Sequence, residues 1–171
     1  MRILVWVREG VWEAAVDAAR QFTAADAEFI LLHVISGDPS AVIGGGFDGL
    51  LGRRHRLPPA LHDVESEADR SLLAAAEERL GRPAEHQTRG GRVEREVVLA
   101  AADADLLVVS RDGDRRRLGP HSLGPAARFV VDHAPCPVLL VWPERVPEVS
   151  SIPPPPPGPP KPAPPAHPNP G

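Results

Sequence analysis

The chain has 171 residues, a formal net charge of -4 at pH 7 and a single cysteine, Cys136. This length suits one domain with its own core. The charge argues against an obligate nucleic-acid binder, and one thiol excludes an intramolecular disulfide or a cysteine-based metal site. No run approaches the roughly 18 to 20 apolar residues of a membrane helix, and Arg8 and Glu9 end the apolar opening too early for a signal peptide. We therefore expect a soluble protein of the reducing cytoplasm.

The predicted elements alternate between strand and helix from the first residues. Residues 2–7 form a short β-type run, and apolar residues at helical spacing follow over 11–22. A second apolar run covers 28–35, and a longer helical stripe over 61–80 is ended by Gly81 and Pro83. The connection over 36–56 is long, and we favour a flexible loop over a functional one.

The second half of the chain continues this alternation. Residues 84–88 are a weaker, more polar strand candidate that suits a sheet edge, and helical spacing follows over 93–101. Residues 105–110 and 137–142 are largely aliphatic, with a helix predicted between them over 123–131. Such runs indicate strands buried on both faces. The order predicts an α/β fold, a doubly wound five-stranded parallel sheet with helices on both faces.

Composition changes sharply after Trp142. Residues 153–171 hold 12 of the 22 prolines and almost no large apolar residue. Because proline fixes φ and removes a backbone donor, we predict a folded domain over 1–143 and a disordered proline-rich tail over 144–171. Residues 156–161 (PPGPPK) fit a pattern that binds polyproline-recognising grooves. We favour a solubilising or spacing tail, with a protein partner of the tail as the alternative.

Two segments are similar to the universal stress protein family beyond a general α/β pattern. One is Arg2-Ile-Leu-Val, followed by a helix and by Leu31-Leu-His-Val-Ile. The other begins with Ala104-Asp-Leu-Leu-Val-Val and reaches the more specific His133-Ala-Pro-Cys-Pro-Val. The resemblance covers essentially all of residues 1–143. It implies a five-stranded parallel sheet, dimerisation through the last strand, and a stress-response role in a family that often binds ATP.

The nucleotide site that the resemblance implies is altered in this sequence. ATP-binding members carry Gly-x-x-Gly, nine residues, then Gly-Ser or Gly-Thr, so that backbone N–H groups and a hydroxyl approach the phosphates. Here Ser110 replaces the first glycine, ten residues separate Gly113 from Gly124, and Pro125 replaces the hydroxyl residue. Proline has neither the hydroxyl nor the N–H that would face a phosphate.

The end of the first strand departs from the family as well. ATP-binding members place an acidic residue there, whereas this chain has Arg8, which cannot accept a hydrogen bond. In the second strand, Val34 matches a position whose backbone contacts adenine in the family. The residues that would line a nucleotide, if one binds, are Val7, Val34, Ser110, Arg111, Gly113 and Gly124.

Arginines surround Gly113 at the carboxyl end of the fourth strand, where open α/β sheets bind their ligands. Guanidinium groups of Arg111 and residues 115–117 offer an anion site in place of the missing backbone donors. We favour the alternative, a solvated loop in which Asp112 and Asp114 partly neutralise the arginines.

Three other side chains are of types that can take part in catalysis or redox chemistry, but a structural role is favoured for each. His121 and Ser122 form a pair without an identifiable acid to orient the histidine, so capping of the following helix is favoured over catalysis. Cys136 lies between two prolines, and an inert thiol is favoured over a redox sensor.

The last strand is too apolar to be left as an open sheet edge. Pairing with a second copy would cover it, and this agrees with the dimer that the resemblance implies. Covering by residues 143–149 is the competing explanation. The residues expected at the dimer contact are Val138, Leu139, Leu140, Val141 and Trp142.

The sequence therefore predicts a non-enzymatic, cytoplasmic stress-response homodimer whose ATP site is altered or lost. A conventional ATP-binding member that acts as a nucleotide-dependent switch is the alternative. A nucleotide-hydrolysing enzyme ranks last, because the chain has no Gly-x-x-x-x-Gly-Lys-[Ser/Thr] loop and no convincing paired acid and base. No metal, nucleic-acid or membrane partner is expected.

Overall fold

A computed structural model describes residues 1–22, 26–36 and 59–154, the last range with side chains from residue 67. The expectations for the loop over 37–56 and for the tail from residue 155 lie outside the described residues. No helix within these ranges is both long and apolar enough to cross a membrane. The described strands and α-helices are β1 (Arg2–Trp6), α1 (Trp12–Ala19), β2 (Glu28–Ser36), α2 (Pro59–Leu80), β3 (Ala84–Gly91), α3 (Val93–Ala100), β4 (Leu106–Ser110), α4 (Pro125–His133) and β5 (Val138–Val141).

The five strands form one sheet in the order β3-β2-β1-β4-β5, and every pairing is parallel. β1 lies in the centre, with Leu4 beside Ile30 of β2 on one side and Leu107 of β4 on the other. The chain passes to the other half of the sheet between β3 and β4. This order confirms the predicted doubly wound sheet.

Each strand contributes side chains to two apolar layers, because successive residues point to opposite faces. Ile3 and Val5 pack with α1 and α2, whereas Leu4 and Trp6 pack with α3 and α4. Residues 3–7 are at most 1% exposed. Burial on both faces explains why the central strands are aliphatic at nearly every position.

The edge strand β3 has a different character. None of its eight residues is fully buried, in agreement with its polar sequence, and it extends beyond the predicted residue 88 to Gly91. The preceding helix ends as predicted at Gly81, whose φ of +68° is a left-handed conformation that glycine adopts without steric cost. Its N–H donates to the carbonyl of Glu77 at 3.0 Å. The edge is therefore set by a short turn and a polar strand.

The α3/α4 layer gives a test of the packing. Leu107 is fully buried there, so Leu107→Ala should lower the free energy of unfolding by about 2–5 kcal/mol through lost transfer energy and a residual cavity. Leu99 on α3 is 61% exposed, and Leu99→Ala should change it by no more than about 0.5 kcal/mol. Urea unfolding of both variants checks this, and equal losses would contradict the described burial.

The same layer contains the single thiol, which gives a second test. Cys136 is partly buried, and this burial raises the pKa of its thiol. Since the thiolate is the reactive form, folding should slow labelling at neutral pH and move the midpoint of the rate–pH curve upward. The measurement compares folded chain with chain unfolded in urea. Faster labelling of the folded chain at neutral pH would instead indicate a redox-sensing thiol.

Candidate functional site

The candidate site lies at the carboxyl ends of β1 and β4, where the strand order reverses. Open α/β sheets bind ligands at this point. The last residue of β4, Ser110, and the connection from β4 to α4, with Arg111, Gly113 and Gly124, supply most of the residues predicted for a nucleotide. The other two lie on the neighbouring strands, Val7 directly after β1 and Val34 near the end of β2 with 7% exposure.

A short ion pair joins the end of β1 to this connection. Arg8 Nη1 lies 2.6 Å from Asp112 Oδ2, and both side chains are less than one-fifth exposed. Arg8 Nη2 also donates to the carbonyl of Ser110 at 3.2 Å, and the guanidinium lies 4.1 Å above the ring of Trp6. Asp112 thus faces Arg8 and not the arginines of its own loop, which the sequence had predicted as its partners.

The same carboxylate holds the start of α4. Asp112 Oδ1 accepts a hydrogen bond from the N–H of Gly124 at 2.7 Å. Negative charge is favourable at a helix N-terminus, and Gly124, the N-cap residue, has no side chain that could supply it. A Cβ atom on Gly124 would lie 2.7 Å from Asp112 Oδ2, so the close approach of carboxylate and backbone requires glycine.

Backbone hydrogen bonds also join the two ends of the loop. The N–H of Gly113 donates to the carbonyl of Ser122 at 3.0 Å, and the N–H of Asp114 donates to the carbonyl of His121 at 2.7 Å. A Cβ atom on Gly113 would collide with the His121 carbonyl oxygen. Gly113 therefore serves a close approach of two backbone segments, and its N–H is already bonded within the loop.

Arg111 packs against the last strand. Its Nη1 donates to Ser122 Oγ, and its guanidinium lies 4.6 Å above the ring of Trp142. Its Nε is buried and has no hydrogen-bond partner among the described residues. Burial lowers the pKa of Arg111, yet an arginine keeps its charge at any ordinary pH. The indole face supplies electrostatic compensation for this cation.

The remaining loop arginines are paired with acids at the surface. Arg116 Nε and Arg117 Nε lie 3.1 and 3.3 Å from the carboxylate of Asp114. Hydrogen bonds, above all from the Arg116 side chain, lower the pKa of Asp114 to about 2. Arg115 Nη1 lies 2.8 Å from Glu144 Oε1. This geometry agrees with the favoured solvated loop and not with an anion site built from residues 115–117.

The expectation that His121 and Ser122 cap α4 is wrong. Both lie in a 3-10 turn over Pro120–Ser122, where Ser122 Oγ donates to the Gly119 carbonyl at 2.7 Å. The side chain of His121 makes no hydrogen bond within the described part of the chain. The capping role belongs to Asp112, twelve residues before Gly124.

The structure also brings together a pair that the sequence did not single out. His33 Nδ1 lies 3.0 Å from the carbonyl oxygen of Val7, and His33 Nε2 lies 3.2 Å from Asp69 Oδ1 of α2. Both ring nitrogens of His33 therefore face an oxygen atom, one on the backbone and one on a carboxylate. A histidine inside an apolar strand was the only sequence signal for this pair.

The chain was compared with known families and structures once this geometry was in hand. A model of the Universal stress protein family matches residues 1–141. None of the curated proteins matches the chain significantly. Solved structures do match, and several of them belong to universal stress proteins.

Three of these structures illustrate the likeness. The hypothetical protein MJ0577 is 21% identical, with a TM-score of 0.63, and the alignment covers 82% of this chain and 94% of that protein. A universal stress protein in complex with cAMP is 20% identical, with a TM-score of 0.56 and coverage of 84% and 98%. An Arabidopsis thaliana universal stress protein family protein with AMP bound is 16% identical, with a TM-score of 0.51 and coverage of 90% and 95%. At these identities the likeness shows the fold alone.

Proposed function

Because the chain belongs to the universal stress protein family, we propose that it is a non-enzymatic, cytoplasmic stress-response homodimer that does not bind ATP in the usual manner of that family. The observation that carries this proposal is the position of the Asp112 carboxylate. It accepts a hydrogen bond from Gly124 N–H at 2.7 Å and pairs with Arg8 at 2.6 Å. The chain supplies its own anion where the family motif would bring a phosphate.

Electrostatics at this point oppose a nucleotide. A phosphate that approached the N-terminus of α4 would meet a carboxylate of like charge. To replace it, the phosphate would have to break two charge-assisted contacts, which are stronger than neutral hydrogen bonds. The N–H of Gly113 would also have to leave the carbonyl of Ser122. ATP binding therefore requires the loop to open first.

The surroundings of the two buried serines support a non-enzymatic role. Ser122 Oγ is bonded to the Gly119 carbonyl and to Arg111, so no base reaches it. Ser110 Oγ is buried without a hydrogen-bond partner among the described residues. A serine nucleophile needs a general base within hydrogen-bond reach. Neither serine has such a base in the described part of the chain.

The structures with cAMP and AMP establish that related folds bind nucleotides. We propose that the present chain differs through the Asp112 carboxylate and not through loss of the fold. The Arg8 guanidinium and the N-terminus of α4 would remain as an anion site if that carboxylate were removed.

Titration calorimetry with ATP and magnesium tests this proposal. The unchanged chain should give no saturable heat up to about 1 mM ligand, which corresponds to binding weaker than about -4 kcal/mol. Asp112→Ala frees the Gly124 N–H and the Arg8 guanidinium, so we expect it to bind ATP measurably. Asp114→Ala is the matched control, because it removes an equal charge from the same loop without touching α4.

Two outcomes would contradict the proposal. Saturable heat at micromolar ATP with the unchanged chain would favour the conventional nucleotide-dependent switch. Absence of heat with Asp112→Ala would mean that the carboxylate is not what excludes ATP.

The dimer part of the proposal rests on the open edge of β5. The N–H of Leu107 donates to the Pro137 carbonyl, and the N–H of Arg111 donates to the Val141 carbonyl, both at 2.9 Å. Alternation along a strand then directs the N–H groups of Val138 and Leu140 away from β4. An unpaired row of this kind is a template for a second strand.

The segment after β5 leaves this edge unbonded within the described residues. It packs on the loop before α4 instead, through Glu144 with Arg115 at 2.8 Å and through the Leu118 N–H with Ser151 Oγ at 3.0 Å. These contacts favour a second copy over residues 143–149 as the cover of the edge.

Sedimentation velocity at micromolar concentration tests the dimer. The unchanged chain should sediment as a dimer, and Leu140→Pro should sediment as a monomer, because proline removes the outward N–H while an edge position tolerates it. Leu140→Ala is the matched control that shortens the side chain but keeps the N–H, and it should remain a dimer. A monomeric unchanged chain would exclude the proposed assembly.

A further inference from the structure

An open groove of about 620 Å³ lies beside the exposed side of α4. Its apolar lining comes from Leu123, Pro125 and Phe129, and its polar lining includes Arg128 and Asp132. One end of the groove reaches Gly113 and Gly124 of the candidate site. The proposed function makes no use of the side chains that α4 contributes to it, and we call it the α4 groove.

Two stacked rings form a flat surface in the α4 groove. The rings of Phe129 and His133 lie 4.0 Å apart and within 10° of parallel. His133 is held in this orientation by a 2.8 Å hydrogen bond from Nδ1 to the carbonyl of Phe129. Phe129 is 36% exposed, so part of its ring is accessible from the groove. Flat aromatic surfaces of this kind bind the rings of proline-rich segments.

The polar groups of the groove complement the backbone of such a segment. Arg128 Nη2 donates to the carbonyls of Pro120 and Leu123, which fixes the guanidinium and leaves Nη1 and Nε without a bond to the described residues. Asp132 is exposed and makes no ion pair within the described part of the chain. A polyproline II backbone has no internal hydrogen bonds, so its carbonyls can accept from donors such as Arg128.

The described chain ends at the rim of the α4 groove. Pro153 lines a smaller cavity of about 160 Å³ together with Gly119, Pro120 and His121, and His121 also lines the groove. Leu118 holds this end in place, since its N–H donates to Ser151 Oγ at 3.0 Å. The last described residues, 153 and 154, therefore lie next to the groove.

We propose that the proline-rich residues 155–161 of the same chain bind in the α4 groove, with prolines on the Phe129–His133 rings and Lys161 beside Asp132. The six steps from residue 155 to 161 span about 19 Å as polyproline II. The eight steps of α4 from Pro125 to His133 span about 12 Å, so the segment is long enough.

Charge and tethering support this occupant. Lys161 is the only Lys, Arg, Asp or Glu in residues 155–171, and it stands at the far end of the segment that would cross α4. Asp132 offers the complementary charge near the C-terminal end of that helix. A short tether also gives an effective concentration in the millimolar range. Even a groove with low affinity for the segment would therefore be occupied.

Backbone ¹⁵N relaxation of the full chain tests the proposal. We expect order parameters above about 0.6 for the amides of Gly158 and Lys161 and below about 0.6 for Asn169, the value that separates ordered from flexible backbone. Phe129→Ala should lower Gly158 and Lys161 to the level of Asn169. Leu99→Ala, which removes an exposed side chain of α3, is the matched control and should leave them unchanged.

A second set of variants tests the charge contact without altering the aromatic rings. Asp132→Asn and Lys161→Gln should each lower the order parameter of Lys161, and the double variant should lower it no further. Low order at Gly158 and Lys161 in the unchanged chain would overturn the proposal, as would additive effects of the two charge variants. Order that increases with protein concentration would indicate binding to another copy and would overturn intramolecular docking.

Discussion

The carboxylate of Asp112 lies between the guanidinium of Arg8 and the N–H of Gly124. The two oxygen atoms of this carboxylate therefore connect the ends of β1 and β4 with the start of α4. The end of β1 is held to the end of β4, and α4 begins where the carboxylate can reach its first turn. The glycine at position 124 follows from the same contact, because a side chain there would displace the carboxylate.

Charge at this edge of the sheet is balanced within the chain. Asp112, Asp114 and Glu144 each face an arginine. Arg111 faces the indole of Trp142 instead. Paired charges produce a weaker field than isolated ones, so little attraction remains for a distant polyanion. The family motif relies on unpaired backbone donors, and the present loop has bonded them internally. Electrostatics and backbone bonding thus support the same proposed loss of affinity.

Most of the fold could be predicted from the sequence because burial leaves a local pattern. Aliphatic runs gave the central strands, and the polar run at residues 84–88 gave the edge. The altered motif was equally visible, since Ser110 and Pro125 stand where glycine and a hydroxyl residue are expected. Each of these features can be recognised within one short stretch of sequence.

The contacts that form the site could not be predicted in the same way. Arg8 and Asp112 are 104 residues apart, and only the adjacency of β1 and β4 brings them together. His33 and Asp69 meet for a similar reason, across a strand and a helix. The capping prediction for Ser122 failed because its Oγ accepts from the Arg111 guanidinium and donates to the Gly119 carbonyl, and not to or from the first turn of α4. Pairings of this kind depend on strand order, which no local spacing encodes.

The internal anion at Asp112 changes what determines whether the loop between β4 and α4 is ordered. A phosphate loop that needs a ligand becomes ordered only when the ligand is present, and its shape then follows the ligand's concentration. A loop completed by its own carboxylate becomes ordered as the domain folds. Under the proposed function, a protein that recognised this surface would respond to how much of the chain is present, and not to the concentration of nucleotide.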